Sequence, residues 1–238
     1  MRKMVPLADG QMPALVSLAQ AGRPGVLIVP SALGLDRCCE EQIRRFARAD
    51  VFAVAPDVFW RIAPGPLPHA ELGLAHERAG AANPRQLLRD LTASLRWLRD
   101  RGAGPLLALG VGFGGRFALL SAARGAVAGA VTWHSAGLDR LIDLAPQIRC
   151  PLSMHFASAD AHIPMADIAR LRNTFGRREG VAIHIHPDVR HGFTHPSFPG
   201  FSPVAANAAF ADTVRLAERL AGEQAPPAAH HARQQHPR

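Results

Sequence analysis

The sequence predicts an α/β protein with a mostly parallel central sheet and helices on both faces. Short apolar runs alternate with longer amphipathic segments along the 238 residues, which is the rhythm of successive strand–helix units. The runs GVLIV (Gly25–Val29) and LLALG (Leu106–Gly110) are apolar throughout, as strands covered on both sides must be. A composition of 48% hydrophobic and 19% charged residues suits one globular domain of this length with a sizeable core.

Strands are expected at Ala14–Ala19, Val26–Val29, Val51–Ala55, Leu106–Leu109, Val127–Trp133, Leu152–Phe156 and Val181–His186. Helices are expected at Cys38–Ala49, Arg85–Arg101, Gly115–Ala123, Pro164–Phe175 and Pro203–Leu220. Only Ala21-Gly22-Arg23-Pro24-Gly25 separates the first two strands, so they are expected to pair as an antiparallel hairpin at the sheet edge. Pro56–Pro84, rich in Pro and Gly, reads as an irregular segment across the top of the sheet. Residues 1–221 are expected to form a single domain, and the polar, Pro- and Ala-rich stretch 222–238 a disordered tail. The His230-His231 pair in that stretch reads as solvated rather than metal-binding.

The formal net charge is +8, almost all from arginine, since Lys3 is the one lysine. The arginines are scattered over predicted helices rather than gathered in a stripe, which argues against nucleic acid as a partner. Cys38, Cys39 and Cys150 offer no C-x-x-C spacing and read as free thiols in a reducing, cytoplasmic setting. The N-terminal MRKMVPLADGQMP lacks the apolar run of a signal peptide, and no stretch approaches a membrane span. No metal site or cofactor is implied, and the oligomeric state is not legible.

The most informative stretch is Leu106–Leu120, LLALGVGFGGRFALL, where a strand enters, glycines turn sharply and a helix leaves. Gly110, Gly112 and Gly115 satisfy G-x-G-x-x-G, a dinucleotide fingerprint. That motif, however, sits mid-chain, and Val131–Ser135 offers no acidic residue for a ribose hydroxyl. The other reading is a nucleophile elbow, a strained turn that lifts a side chain above the sheet between small neighbours. It places Gly112 at the apex, with Gly110, Gly114 and Gly115 as the small flanks.

An elbow enzyme needs an acid and then a base, in that order along the chain. Asp160 follows the strand Leu152–Phe156, and His191 follows the strand Val181–His186. Taken alone, Asp160 reads as a helix cap and His191 as an ordinary loop histidine. The ordered set of turn, Asp and His at strand ends points instead to an acid–base pair.

Together these motifs resemble the dienelactone hydrolase family over roughly residues 12–221. The resemblance is carried by Gly25–Gly34, by DVFAVAPDVFWR (Asp50–Arg61), by Leu109–Phe117, by His155–Pro164 and by Arg190–Phe193. It implies the α/β-hydrolase fold, a small ester or lactone as ligand, and hydrolysis by an Asp160–His191 pair. It also exposes departures. The family's elbow cysteine is Gly112, its glutamate after the first buried strand is Ser31, its tyrosine before the histidine is His186, and its arginine after it is His195.

A glycine cannot attack a carbonyl, so weak or atypical hydrolysis is expected. Ser31 is the candidate substitute nucleophile, although a space-filling role suits it better; the other route is a water activated by His191. The backbone N–H groups of Phe113 and Ala32 would form the oxyanion hole. Arg61, Trp133, His186 and His195 are candidate substrate-binding residues. Two alternatives stand beside hydrolysis: a non-catalytic member that binds a small molecule or partner in the same cleft, and a dinucleotide-binding enzyme.

Overall fold

The structure, a computed structural model, describes residues 1–224. Its strands are β1 (Arg2–Leu7), β2 (Gly10–Ser17), β3 (Gly25–Val29), β4 (Phe52–Pro56), β5 (Leu106–Val111), β6 (Gly129–Trp133), β7 (Leu152–Ala157) and β8 (Val181–His186). The helices are α1 (Arg37–Arg48), α2 (Leu72–Ala81), α3 (Pro84–Arg99), α4 (Gly115–Ala123), α5 (Met165–Phe175) and α6 (Pro203–Gln224). All eight strands join one sheet in the order β1-β2-β4-β3-β5-β6-β7-β8, parallel from β4 to β8 with β1 and β2 antiparallel at one edge.

Alternate residues of a strand point to opposite faces, so one strand feeds two cores. Val26 and Ile28 pack with Ile43 and Phe46 of α1 and Leu216 and Leu220 of α6. Leu27 and Val29 pack on the other face with Leu91 and Leu95 of α3, Phe117 of α4 and Ile168 of α5. This double burial is why β3 and β5 carry no polar residue. No helix among the described residues is long and apolar enough to cross a membrane.

The sheet edge differs from the sequence expectation. β2 does form an antiparallel hairpin, but with β1, and its other neighbour is β4. The strand 25–29 lies in the middle of the sheet, between β4 and β5. β1 was hidden because Pro6 and the charged Arg2 and Lys3 break its apolar signal; proline is tolerated there because β1 is an edge strand. The segment 56–84 is also more ordered than expected, since it contains α2 and a short 3-10 turn at His69–Glu71. Leu138–Gln147 winds as 3-10 turns where no element was expected. α6 runs through Gly222 to Gln224, so 222–224 is helix rather than tail; the expectation for 225–238 lies outside the described residues.

Candidate active site

The candidate residues follow successive strands at one edge of the sheet. Ser31 follows β3, Gly112 follows β5, His134 follows β6, Asp160 follows β7 and His191 follows β8. From β3 the chain moves outward to β4, then crosses back to place β5 on the other side of β3. Crossovers therefore diverge between β3 and β5, the point in an open parallel sheet at which a ligand crevice is expected above the carboxyl ends of the strands. Ser31 and Gly112 stand on either side of that point.

The turn after β5 has the geometry its glycines allow. Gly112 begins a 3-10 turn, Gly112–Gly114, with φ of +50°, in the left-handed region that costs a side chain energy. Space is not what forbids a side chain there. A Cβ on Gly112 would meet only Ser31 Cβ, at 3.7 Å, whereas one on Gly114 would lie 2.0 Å from the Val29 carbonyl oxygen. The flanking glycine thus lets α4 approach the sheet, while the apex has open space and a backbone conformation that glycine adopts cheaply.

Asp160 and His191 meet. His191 Nδ1 lies 2.8 Å from Asp160 Oδ2, and the Asp160 side chain is fully buried. The other carboxylate oxygen accepts the backbone N–H groups of His162 (2.8 Å) and Ile163 (3.1 Å). Burial raises the carboxyl's pKa, but the His191 hydrogen bond and charge, with the two N–H groups, outweigh it and hold the group below its usual range. An ionised carboxylate on Nδ1 fixes the ring's orientation and leaves Nε2 as the free basic atom. The ring keeps about a quarter of its side chain exposed, at 24%.

The loop after β3 is also held. Ser31 Oγ accepts the Leu33 N–H at 3.2 Å, and no hydrogen bond joins Ser31 to His191 among the described residues. The Ala32 N–H has no acceptor among them. Phe113 is the second residue of its 3-10 turn, where an N–H has no partner within the turn.

Two residues that sequence reasoning missed shape this region. His134 is buried with φ of +37°, its Nε2 is 2.7 Å from Thr194 Oγ1, and its ring lies edge-on to His191 with centroids 5.3 Å apart. Burial, with a smaller contribution from His191, pushes its pKa down to about 3, so the ring is neutral. Arg78 of α2 is buried and donates to the carbonyls of Ala63, Gly65 and Ala32 at 2.8–2.9 Å, clamping the loop that carries Ala32. Nothing in a lone histidine after a strand, or in one arginine of a small-residue helix, signals either role in the sequence.

Residues 12–220 match the family model described as the dienelactone hydrolase family. The chain belongs to that family. It is 27% identical over 206 residues to a carboxymethylenebutenolidase of Pseudomonas putida, covering 84% of this chain and 86% of that protein. It is 28% identical over 213 residues to a putative carboxymethylenebutenolidase of Azospirillum brasilense, covering 84% and 90%. Among solved structures, a putative dienelactone hydrolase from Klebsiella pneumoniae superposes with a TM-score of 0.81 at 20% identity, covering 92% of this chain and 98% of that one. A dienelactone hydrolase-like promiscuous phosphotriesterase from metagenomic libraries gives 0.75 at 22%, covering 92% and 98%. The α/β-hydrolase fold of the family is the fold described above.

The four residues singled out for substrate contact in this dienelactone hydrolase family member do not converge on one pocket. Arg61 is engaged by Asp9 (2.6 Å) and by Asp90, so its guanidinium already has its anions. Trp133 is 0% exposed, packed in the core on the α1–α6 face, and lines no cleft. His186 is half-buried against His155 and Phe193, and burial, then the neighbouring His155 and His184, push its pKa down to about 4. His195 is buried on Asp36, with its Nδ1 3.0 Å from Ser197 Oγ. Cys38 and Cys39 are buried, and burial drives both thiol pKa values well up, so neither offers a reactive thiolate. Among the described residues, two groups could hold a metal ion, Asp36–Cys38–His195 and His155–His184–Asp212, where the sequence offered no ligand spacing.

Proposed function

We propose that this chain hydrolyses a small ester or lactone slowly, by a water that His191 activates where the family's thiol would stand. The observation that carries the reading is the pairing of a buried Asp160, hydrogen-bonded through both carboxylate oxygens, with His191 at the end of a sheet whose elbow apex, Gly112, has open space where a side chain would stand. His191 Nε2 takes a proton from the water as its oxygen bonds to the acyl carbon. The resulting oxyanion accepts hydrogen bonds from the Phe113 and Ala32 N–H groups. Collapse of the tetrahedral centre breaks the bond to the leaving oxygen, which takes the proton back from His191. A lactone opens to a single hydroxy acid.

Ser31 remains beside the apex but is the weaker nucleophile candidate. Its Oγ accepts the Leu33 N–H and makes no hydrogen bond to His191 among the described residues, and no elbow lifts it toward an acyl carbon. The competing reading is a cleft that binds without turnover. Hydrolysis of activated aryl esters and of simple unsaturated lactones, compared between the wild type and His191→Ala, separates the two. Turnover that falls to the buffer rate in the variant supports hydrolysis, and equal rates in both proteins overturn it.

A further inference from the structure

Away from the crevice, on the face of the sheet covered by α6, lies a second polar cluster. His155 of β7 and His184 of β8 are register partners, and their rings stack with centroids 4.5 Å apart and planes 13° apart. His186 follows two residues after His184 and therefore shares its face; its Nε2 lies 3.3 Å from His155 Nδ1. From α6, Asp212 directs Oδ2 at His155 Nε2 (3.2 Å) and at His184 Nε2 (3.8 Å), and also accepts the Ser153 hydroxyl at 2.6 Å. Its other oxygen lies 3.4 Å from Arg215.

One atom in this cluster has no explanation in the fold alone. His184 Nε2 is buried with no hydrogen-bond partner, since 3.8 Å from Asp212 is too far to serve. Burying such an atom unpaired is costly, and no other buried side-chain polar atom of the group lacks a partner. One potential ligand atom from each of His155, His184 and Asp212 lies within 4.8 Å of the other two, and Asp212 Oδ2 faces both His155 Nε2 and His184 Nε2. A tetrahedral ion bound at about 2.0–2.2 Å needs neighbouring ligand atoms roughly 3.4 Å apart, close to the two spacings of 3.2 and 3.8 Å.

We propose that His155, His184 and Asp212 form a binding site for a divalent transition-metal ion, zinc above all. Two imidazoles and a carboxylate are a borderline ligand set suited to zinc, and they leave a fourth position for water. The contact between His155 Nδ1 and His186 Nε2 needs one donor and one acceptor, so at least one of these rings is neutral. With an ion on Nε2, His155 carries its proton on Nδ1 and donates it to His186, the outer hydrogen bond that holds a ligating histidine in place. The partly exposed side chain of His184, at 41%, gives an ion a way in from solvent. The bound ion fastens β8, which pairs only with β7 among the described residues, to α6. It does so on the two strands whose ends carry Asp160 and His191.

The full chain, stripped with a chelator, is titrated with zinc chloride by calorimetry and with cobalt(II) by visible absorption. One equivalent is expected to bind, with a tetrahedral cobalt spectrum and a raised melting temperature. His186→Phe is expected to weaken binding by about 10–100-fold, and His184→Ala or Asp212→Asn by more. His184→Gln, near-isosteric and at a partly exposed position, repeats the test should the alanine variant lose its far-UV circular dichroism. Cys38→Ser and the His230→Ala, His231→Ala pair are expected to bind as the wild type does. Absence of zinc binding in the wild type, or stoichiometric binding that survives in a folded His184→Gln, Asp212→Asn double variant, overturns the site.

Discussion

Gly112 faces Ser31: a Cβ on the glycine would stop 3.7 Å from Ser31 Cβ and would meet no other atom within 4 Å beyond its chain neighbours. The position has room for a side chain and lacks only a favourable backbone, because φ is +50°. Gly112→Cys and Gly112→Ser are therefore expected to fold, with strain of about 1–2 kcal/mol. That strain corresponds to a melting temperature lower by roughly 2–8 °C for a chain of this size. Both variants are expected to raise kcat/KM on activated aryl esters by at least about tenfold, one step of roughly 1.4 kcal/mol in the barrier. Stopped-flow release of the aryl alcohol, with a burst that reports the acyl-enzyme, reads this directly. An unchanged rate in a folded Gly112→Cys would contradict the reading of Gly112 as the nucleophile position.

The neighbouring glycine behaves oppositely. A Cβ on Gly114 would sit 2.0 Å from the Val29 carbonyl oxygen and 2.9 Å from that of Pro30, both of them backbone atoms that cannot rotate away. Gly114→Ala is expected to lose more stability than Gly112→Ala, by roughly 1–3 kcal/mol of overpacking. Urea denaturation of the two variants gives the order, and equal midpoints would contradict the close approach of α4 to β3.

Replacing Ser31 by Ala is expected to change turnover by less than about tenfold, the effect of a shift in packing near the crevice. His191→Ala and Asp160→Asn are each expected to cost about 100-fold or more, and the double variant little beyond the larger single loss, because the two act as one unit. An organophosphate adduct located on Ser31 by mass spectrometry would reverse the assignment in favour of a serine nucleophile.

The pH dependence of folding carries a contribution from His134. Its folded pKa is pushed down to about 3, whereas an unfolded histidine titrates near 6.5. Between these values the unfolded chain binds the extra proton, so stability falls as pH drops from about 6.5 toward 3. His155 and His186 are also lowered and give slopes of the same sign. His134→Asn, whose side chain tolerates the positive φ, is expected to remove the His134 share and flatten the profile. Denaturation midpoints from pH 7 to pH 4 measure it, and identical slopes in the two proteins would count against a buried neutral ring.

Local pattern made much of this protein legible before any tertiary contact. Runs such as GVLIV and LLALG determine buried parallel strands because every side chain in them must avoid water. The spacing of glycines after β5 determines a tight turn, since only Gly112 adopts φ of +50° cheaply there and only Gly114 can lie against Val29. The order of Asp160 and His191 after successive strands also stood in the sequence, and strand order brought the two side chains together. What the tertiary structure alone decided depends on partners far apart in the chain. Arg61 looks like an anion receptor in sequence and is spent on Asp9 and Asp90, 52 and 29 residues away. Trp133 looks like a cleft residue and points into the core, because the face on which a strand residue falls depends on sheet register and not on its type. The gathering of His155, His184 and Asp212 across β7, β8 and α6 is likewise a product of register and helix docking, which no one-dimensional spacing encodes.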